Sequence, residues 1–188
     1  YMDSVNCQIK DLVKAGKFAD GLLKELARPN VCSTKGLGEM FDSTIGASSV
    51  LMPFGGKNQL TPSIVMAAKP PVNGKTDCAT VSSFACSPYL MENSPFTGAI
   101  YSIVASISKL IASGVNKSTV RLTLQEFFKK LGKDSERWGE PTSALLGALY
   151  AQIGTGCGAI GGKDSMSGTF ENIDVPPTLI SFAVGITK

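Results

Sequence analysis

Residues 156–170 read GCGAIGGKDSMSGTF, with five glycines, one lysine, one aspartate and three hydroxyl side chains. Glycine lets backbone N–H groups approach an anion closely, and lysine adds a positive charge, so the composition is typical of a phosphate-binding loop. The stretch is nevertheless not a P-loop of the form GxxxxGK[ST]. If Gly162 and Lys163 supplied the GK pair, the leading glycine would fall at Cys157, and Asp164 would occupy the hydroxyl position.

The same stretch matches the dinucleotide fingerprint GxGxxG at Gly156, Gly158 and Gly161. That fingerprint works only where a strand precedes it and a helix begins within it, because the helix N-terminus meets the pyrophosphate. Here a predicted helix precedes the glycines, and no helical periodicity follows them. Two alternatives stay open: a tight strand-to-loop turn whose glycines adopt positive φ, and a loop that binds an anion or nucleotide phosphate.

The whole chain has 188 residues, of which 43% are hydrophobic and 18% are charged, with a formal net charge of +3. This is the composition of a globular protein, and the scattered lysines give no stripe for nucleic acid. The chain contains no histidine, which removes the commonest general base and imidazole metal ligands. It has no run of about 18 uninterrupted apolar residues, so we expect no membrane partner.

Hydrophobic spacing outward from the glycine-rich stretch predicts both helices and strands. Helices are expected over residues 3–26, from Pro95 to about residue 111, over LQEFFKKLG at residues 124–132, and from Pro141 to Ile153. Strands are expected at residues 48–52, 79–85, 120–122 and 176–184, with a short extended run at 158–161. This order predicts an α+β or mixed α/β fold with a mixed sheet and helices on one face.

Four consecutive blocks, at residues 28–72, 94–114, 120–156 and 158–184, resemble the phosphoribosylformylglycinamidine synthase family. The most specific motifs are MFDST, ERWG and GGKDSM, which occur here in the family's order. The chain is similar to the second aminoimidazole-ribonucleotide-synthetase-like N-terminal domain of the family's large single-chain form. The resemblance implies an N-terminal helical segment at residues 1–27 and a synthetase-like domain at 28–188, cut from a larger enzyme.

The family's reaction is what this resemblance implies for the complete enzyme. ATP phosphorylates the formamide oxygen of formylglycinamide ribonucleotide, and ammonia from glutamine displaces the phosphate, giving the amidine, ADP and phosphate. The implied ligands are ATP or ADP and Mg²⁺, and the implied location is the cytoplasm. The glutaminase, the companion synthetase-like half and the following domain lie outside this chain, so the chain alone is expected to be inactive.

The resemblance also implies a substrate- or nucleotide-binding site at the KDS motif. Lys163, Asp164 and Ser165 match that motif, and Gly161 and Gly162 precede it. Glu126, Phe127 and Phe128 precede this motif along the chain, and we interpret them as part of a short amphipathic helix that packs on the sheet rather than as ligand contacts. Trp138 and Phe170 are expected in the core or an interface.

Three further positions are implied with less support from the sequence. Asp42 matches a family aspartate near the nucleotide, and Asp77 aligns with an aspartate that binds magnesium in some members. Those members complete the metal site with Glu and Asn on the next helix, where this chain has Ala105 and Lys109. One carboxylate does not replace a cluster, and a lysine repels the ion, so Lys109 is instead a candidate phosphate contact.

The same departure supports an alternative of a different class, a structural domain whose nucleotide site has decayed and which pairs its sheet with the companion half. In either case the implied fold pairs two such domains through their sheets. An isolated copy would leave an apolar sheet face uncovered, which predicts a homodimer.

Overall fold

The computed structural model describes residues 10–29, 31–41 and 48–188, and the chain divides into two compact units, residues 1–43 and 44–188. In the first unit, residues 10–14 are helical, followed by α1 (Phe18–Leu26) and α2 (Lys35–Phe41). Gly16 adopts a φ of 70° between the first two helical stretches, so the predicted helix over residues 3–26 is interrupted there. Its part before residue 10 lies outside the described residues.

The second unit is built on a five-stranded mixed sheet. The strands of this unit, in chain order, are β1 (Phe54–Gly55), β2 (Thr61–Pro62), β3 (Met66–Ala68), β4 (Ala79–Ala85), β5 (Arg121–Phe127), β6 (Ala159–Lys163), β7 (Thr169–Phe170), β8 (Ile173–Asp174) and β9 (Thr178–Thr187). The main sheet has the order β3-β4-β9-β5-β6, in which only β5 and β6 run parallel among neighbours. The pairs β1–β2 and β7–β8 form separate small hairpins.

Helices cover one face of this sheet. They are α3 (Pro88–Asn93), α4 (Pro95–Ala112) and α5 (Ser135–Thr155), with a 3-10 turn at Lys117–Thr119. Helix α4 packs on β4 and β9, and α5 packs on α4. The apolar core lies between them and includes Ile103, Leu110, Leu122, Phe128 and Leu179, none of which is accessible to solvent.

The layer between α4 and the sheet also contains three buried serines. Ser83 Oγ donates to the carbonyl of Ser106 at 2.7 Å, and the Ser106 hydroxyl lies 2.9 Å from that of Ser181. Each hydroxyl therefore has a partner inside the core, which removes most of the cost of burying it. The serines fix α4 against β4 and β9.

Helix α4 begins as the sequence predicts, because the side chain of Ser94 accepts a hydrogen bond from Thr97 N and Pro95 fills the first turn. By length and composition alone this 18-residue helix, with a mean hydropathy of 1.3, is apolar enough to cross a membrane. One such helix is weak support for a membrane span, because the core helix of a folded domain passes the same test. Here its apolar stripe packs on the sheet.

Helix α5 begins six residues before the predicted start at Pro141. Asp134 caps it by accepting a hydrogen bond from Glu136 N, so the first turns form ahead of the proline, which lies inside the helix. The α5 and α4 backbones meet closely at Gly147, where a Cβ would overlap the Phe96 carbonyl.

Two local predictions were wrong for reasons of strand pairing. The segment 124–132 does not form a helix, because β5 continues to Phe127 between β9 on one side and β6 on the other. Cross-strand pairing outweighs the helical pattern of a short segment. Residues 48–52 form no extended strand but only an isolated bridge between Ser49 and Ala68.

The second face of the sheet carries exposed apolar side chains. Phe84 and Phe182 pair across β4 and β9 with ring centroids 6.3 Å apart, and they are 62% and 39% exposed. Val184 and Ile186 extend this apolar patch along β9, and Met66 extends it onto the neighbouring β3. The homodimer expected from such a face stays a prediction.

Candidate functional site

A cleft of about 290 Å³ opens where strand β6 forms the edge of the sheet. It is lined by Leu124 and Glu126 of β5, by Leu145 of α5, and by residues 161–164 at the end of β6. Small-molecule sites usually begin near about 300 Å³, so this space suits a chemical group or a phosphate better than a whole nucleotide.

The two glycines at the end of β6 have different roles. Gly162 lies beside Leu124 in the parallel ladder, and a Cβ there would overlap the Leu124 carbonyl oxygen. A Cβ on Gly161 would meet nothing within 4 Å. Neither residue has positive φ, whereas Gly156 adopts 68° at the end of α5. A turn with positive φ therefore accounts for the glycine at position 156, whereas the close approach of β6 to β5 accounts for the glycine at position 162.

The loop after β6 is fastened to the end of β5 by its backbone. Ser165 N donates to the carbonyl of Glu126 at 3.1 Å, and Phe128 N donates to the carbonyl of Ser165 at 2.9 Å. Gly168 N then donates to the carbonyl of Phe128 at 2.9 Å. These bonds extend the parallel pairing beyond the strands and hold residues 163 and 164 at the rim of the cleft.

A surface network holds the far end of the same loop. Arg137 Nη2 donates to Asp174 Oδ2 at 2.7 Å, and Thr169 Oγ1 donates to Asp174 Oδ1 at 2.6 Å. Thr169 Oγ1 also accepts from Lys130 N at 2.9 Å. The Thr169 hydrogen bond, followed by Arg137, lowers the pKa of the Asp174 carboxyl. The carboxylate thus stays ionised and ties α5 to the hairpin that follows the loop.

Glu126 is the functional candidate that the sequence did not single out. Only 1% of its surface is exposed, and its Oε2 has no hydrogen-bond partner in the described part of the chain. Burial raises the pKa of the Glu126 carboxyl to about 7, and the negative charge of Asp164 adds to the rise. The available signal was a carboxylate in phase with Leu122 and Leu124 along an alternating strand, which places it on the core side.

The structure brings together four of the residues implied by the resemblance. Gly161, Gly162, Lys163 and Asp164 all line the cleft, and no ion pair or hydrogen bond of the Lys163 ammonium is present among residues 10–29, 31–41 and 48–188. Ser165 lies next to them, with its hydroxyl 2.8 Å from that of Ser167. Their role as ligand contacts stays a prediction.

The other implied residues lie elsewhere. Lys109 Nζ donates to the carbonyl of Phe84 at 2.7 Å and lies 5.2 Å from the centre of that ring, away from the cleft lining. Asp77 is exposed in the segment before β4, and Asp42 lies outside the described residues. Trp138 and Phe170 are exposed at 55% and 72%, so they are not core residues, and a role in an interface stays a prediction.

The described residues do not fit a magnesium ion. In the part of the chain that the structure describes, no group of three or more Asp, Glu, His or Cys side chains is placed to hold a metal. Asp77 has no carboxylate cluster around it, and the cleft pairs two carboxylates with a lysine. Magnesium prefers several oxygen ligands and little competing positive charge, so no step is assigned to it here.

Comparison with solved structures gives the same fold. The chain is similar to PurLQS from Thermotoga maritima, with a TM-score of 0.68 and 14% identity over 84% of this chain and 24% of that one. It is also similar to T. maritima PurL complexed with ATP, with a TM-score of 0.64 and 17% identity over 83% of this chain and 23% of that one. For T. maritima PurL complexed with FGAR the TM-score is 0.65 and the identity 16%, over the same shares. No family model and no curated protein matches the sequence.

These similarities confirm the predicted fold class, a mixed sheet with helices in the aminoimidazole-ribonucleotide-synthetase-like arrangement. They agree with the resemblance to a PurL-like fragment, PurL being an FGAM synthase. At this level of identity they establish the fold and not the reaction. The chain spans about a quarter of the length of the structures it matches.

Proposed function

We propose that this chain is a synthetase-like domain of a cytoplasmic, ATP-dependent carbon–nitrogen ligase of the phosphoribosylformylglycinamidine synthase type. The complete enzyme would convert formylglycinamide ribonucleotide, ATP and glutamine to formylglycinamidine ribonucleotide. The proposal is supported by the shared fold with proteins solved with ATP and with FGAR, and by the order of the family's sequence blocks.

Within that enzyme, the cleft at the end of β6 is proposed as part of the substrate- or nucleotide-binding surface. The observation that carries this assignment is the Lys163 ammonium, which has no ion-pair partner among the described residues and lines a cleft together with Gly161 and Gly162. A lysine is a mobile point charge that can follow a phosphoryl group, and in a partly enclosed site its attraction for phosphate exceeds that in bulk water.

Calorimetry on the 188-residue chain tests this proposal. ATP, ADP and formylglycinamide ribonucleotide are titrated separately, with and without Mg²⁺. Lys163→Ala is expected to weaken binding of the recognised ligand at least about tenfold, the loss of one charge-assisted contact. The matched control is Lys133→Ala, an exposed lysine outside the cleft. Equal affinities for the wild type and Lys163→Ala would refute the assignment of the cleft.

Catalysis by the chain alone is not expected, because the proposed reaction needs the glutaminase, the companion half and the following domain. Incubation of the chain with formylglycinamide ribonucleotide, ATP and ammonium tests this directly. Formation of the amidine product would show that the chain is a complete catalytic unit and would overturn this part of the proposal.

A structural pairing domain is the second candidate, favoured by the exposed apolar face of β4 and β9 and by the misfit to magnesium. Such a chain would form a homodimer through Phe84 and Phe182 and would bind no nucleotide. Light scattering is expected to give a dimer mass for the wild type and a monomer mass for Phe84→Asp. Ile153→Asp, which changes an exposed apolar residue of α5, should leave the dimer intact. A monomeric wild type would contradict pairing.

A further inference from the structure

The side chain of Glu126 has no structural partner for its buried oxygen. Glu126 lies opposite Leu179 in the β5–β9 ladder, on the covered face of the sheet. Its backbone carbonyl already accepts from Ser165 N and from Gln125 Nε2, and neither of these donors reaches the carboxyl group. A buried carboxyl without a partner costs stability, so a purely structural role does not account for an acid here.

Glu126 is also one of the residues that line the cleft. The charged groups that line the cleft with it are Asp164 and Lys163, and α5 contributes only Leu145. Lys163 forms no ion pair with Glu126 in the described structure. The unused acceptor therefore points to a ligand group that donates hydrogen bonds.

The other lining residues restrict the class of that group. The negative charge of Asp164 disfavours an anion beside Glu126, and Lys163 in the same cleft disfavours a metal ion. Leu124 and Leu145 are the apolar side chains of the lining, and Gly162 packs directly against the β5 backbone. A planar amidine or amide group carries N–H donors that can satisfy a carboxyl oxygen, and its flat faces tolerate apolar neighbours such as Leu124 and Leu145.

We propose that the inner end of this cleft recognises a planar amidine or amide group of the bound ligand, with Glu126 as the acceptor of its N–H donors. Asp164 at the rim adds negative potential, while Lys163 contacts an anionic part of the same molecule. The inference rests on the proposed function only for the identity of the natural ligand, because the acceptor and the cleft belong to this chain.

Acetamidine is the probe, and the Glu126 side-chain carbon is observed by NMR in the isotope-labelled 188-residue chain. Acetamidinium is expected to lower the pKa of the Glu126 carboxyl, because the cation binds the ionised form at least about tenfold more tightly than the protonated form. Methylammonium, which has the charge but not the planar pair of donors, is expected to bind more weakly. An unchanged titration of Glu126 at millimolar acetamidine would overturn the inference and would indicate that only water meets this oxygen.

Variants give a second measure of the same contact. Glu126→Gln is expected to lose at least about tenfold in acetamidine affinity, whereas Glu92→Gln, at an exposed position of α3, is expected to match the wild type. If Glu126→Gln fails to fold, the wild-type titration still decides the question. Equal acetamidine affinities for Glu126→Gln and the wild type would contradict the assignment of Glu126.

The two proposals fail in different experiments. If the chain binds acetamidine at Glu126 but gives no heat with ATP, ADP or formylglycinamide ribonucleotide, the role of Glu126 as an acceptor is supported and the proposed function is refuted. If the chain binds one of those ligands through Lys163 but Glu126 does not respond to acetamidine, the proposed function is supported and the role of Glu126 as an acceptor is refuted.

Discussion

Replacing Glu126 by glutamine should stabilise the protein in alkaline solution and have much less effect in acid. The pKa of this carboxyl rises from its ordinary value of 4.5 to about 7 on folding, so the folded state favours the protonated form. The stability associated with this group is fully present below about pH 4.5 and is lost as the pH rises through about 7. Glutamine has the shape of the protonated acid and does not ionise.

The size of the effect follows from the pKa change. The difference between 4.5 and about 7 corresponds to about 3 kcal/mol of unfolding free energy, and the opening of the cleft to solvent reduces this to about 2–3 kcal/mol. Part of the loss is already present at about pH 5. Between about pH 5 and about pH 8, the stability of Glu126→Gln relative to the wild type should therefore rise by about 2 kcal/mol.

Urea unfolding of both proteins at several pH values measures this difference. With a slope of about 2 kcal/mol per molar urea, the separation of the two midpoints should change by about 1 M across the range. Any constant cost of the new amide group cancels when the separations at two pH values are compared. Glu92→Gln serves as the control, because this glutamate is exposed. A separation that stays the same at every pH would refute a Glu126 carboxyl that is buried and protonated near neutrality.

Three other substitutions test the packing. Gly147→Ala should lower the unfolding free energy by about 1–3 kcal/mol, because its Cβ would push α5 away from α4. Gly154→Ala on the same helix meets nothing and should raise the unfolding free energy by up to about 1 kcal/mol. Thermal melting distinguishes the two variants. Gly162→Ala should separate β6 from β5 and weaken nucleotide or acetamidine binding. Gly158→Ala, outside the cleft lining and with nothing within 4 Å of its new Cβ, should retain binding in calorimetry. Ser106→Ala should cost about 1–2 kcal/mol in urea unfolding because it leaves a buried hydroxyl of β9 without its partner, and an unchanged midpoint would contradict that contact.

The strongest local signals in the sequence predicted their elements well. The proline and serine at the start of α4 predicted its first residue, and the alternation in ATVSSFA predicted the bounds of β4. These features depend on helix caps and hydrophobic periodicity, which act over a few residues and can therefore be recognised in the sequence.

The segment around Glu126 shows where such reasoning stops. The amino-acid sequence of this segment fits a short helix, and only its pairing with β6 and β9 makes it a central strand. The alternation of Leu122, Leu124 and Glu126 is too short to distinguish a strand from a helix, and the strands that pair with it lie far along the chain. Glu126 was therefore assigned to a packing helix and not to a cleft. Lys109 was expected near phosphate from the family resemblance; its ammonium donates to the Phe84 carbonyl, and a phosphate contact stays a prediction.

The sequence by itself determined the start of α4, the bounds of β4, the mixed α/β class, the resemblance to a synthetase family and the identity of the glycine–lysine–aspartate motif. Tertiary structure alone decided that Gly162 must lack a side chain, that Glu126 is buried without a partner, and that both lie in one cleft with Lys163 and Asp164. The physical reason is that composition and spacing specify which groups a chain offers. The parallel pairing of β5 with β6, together with α5, specifies which of them meet and how deeply each is buried.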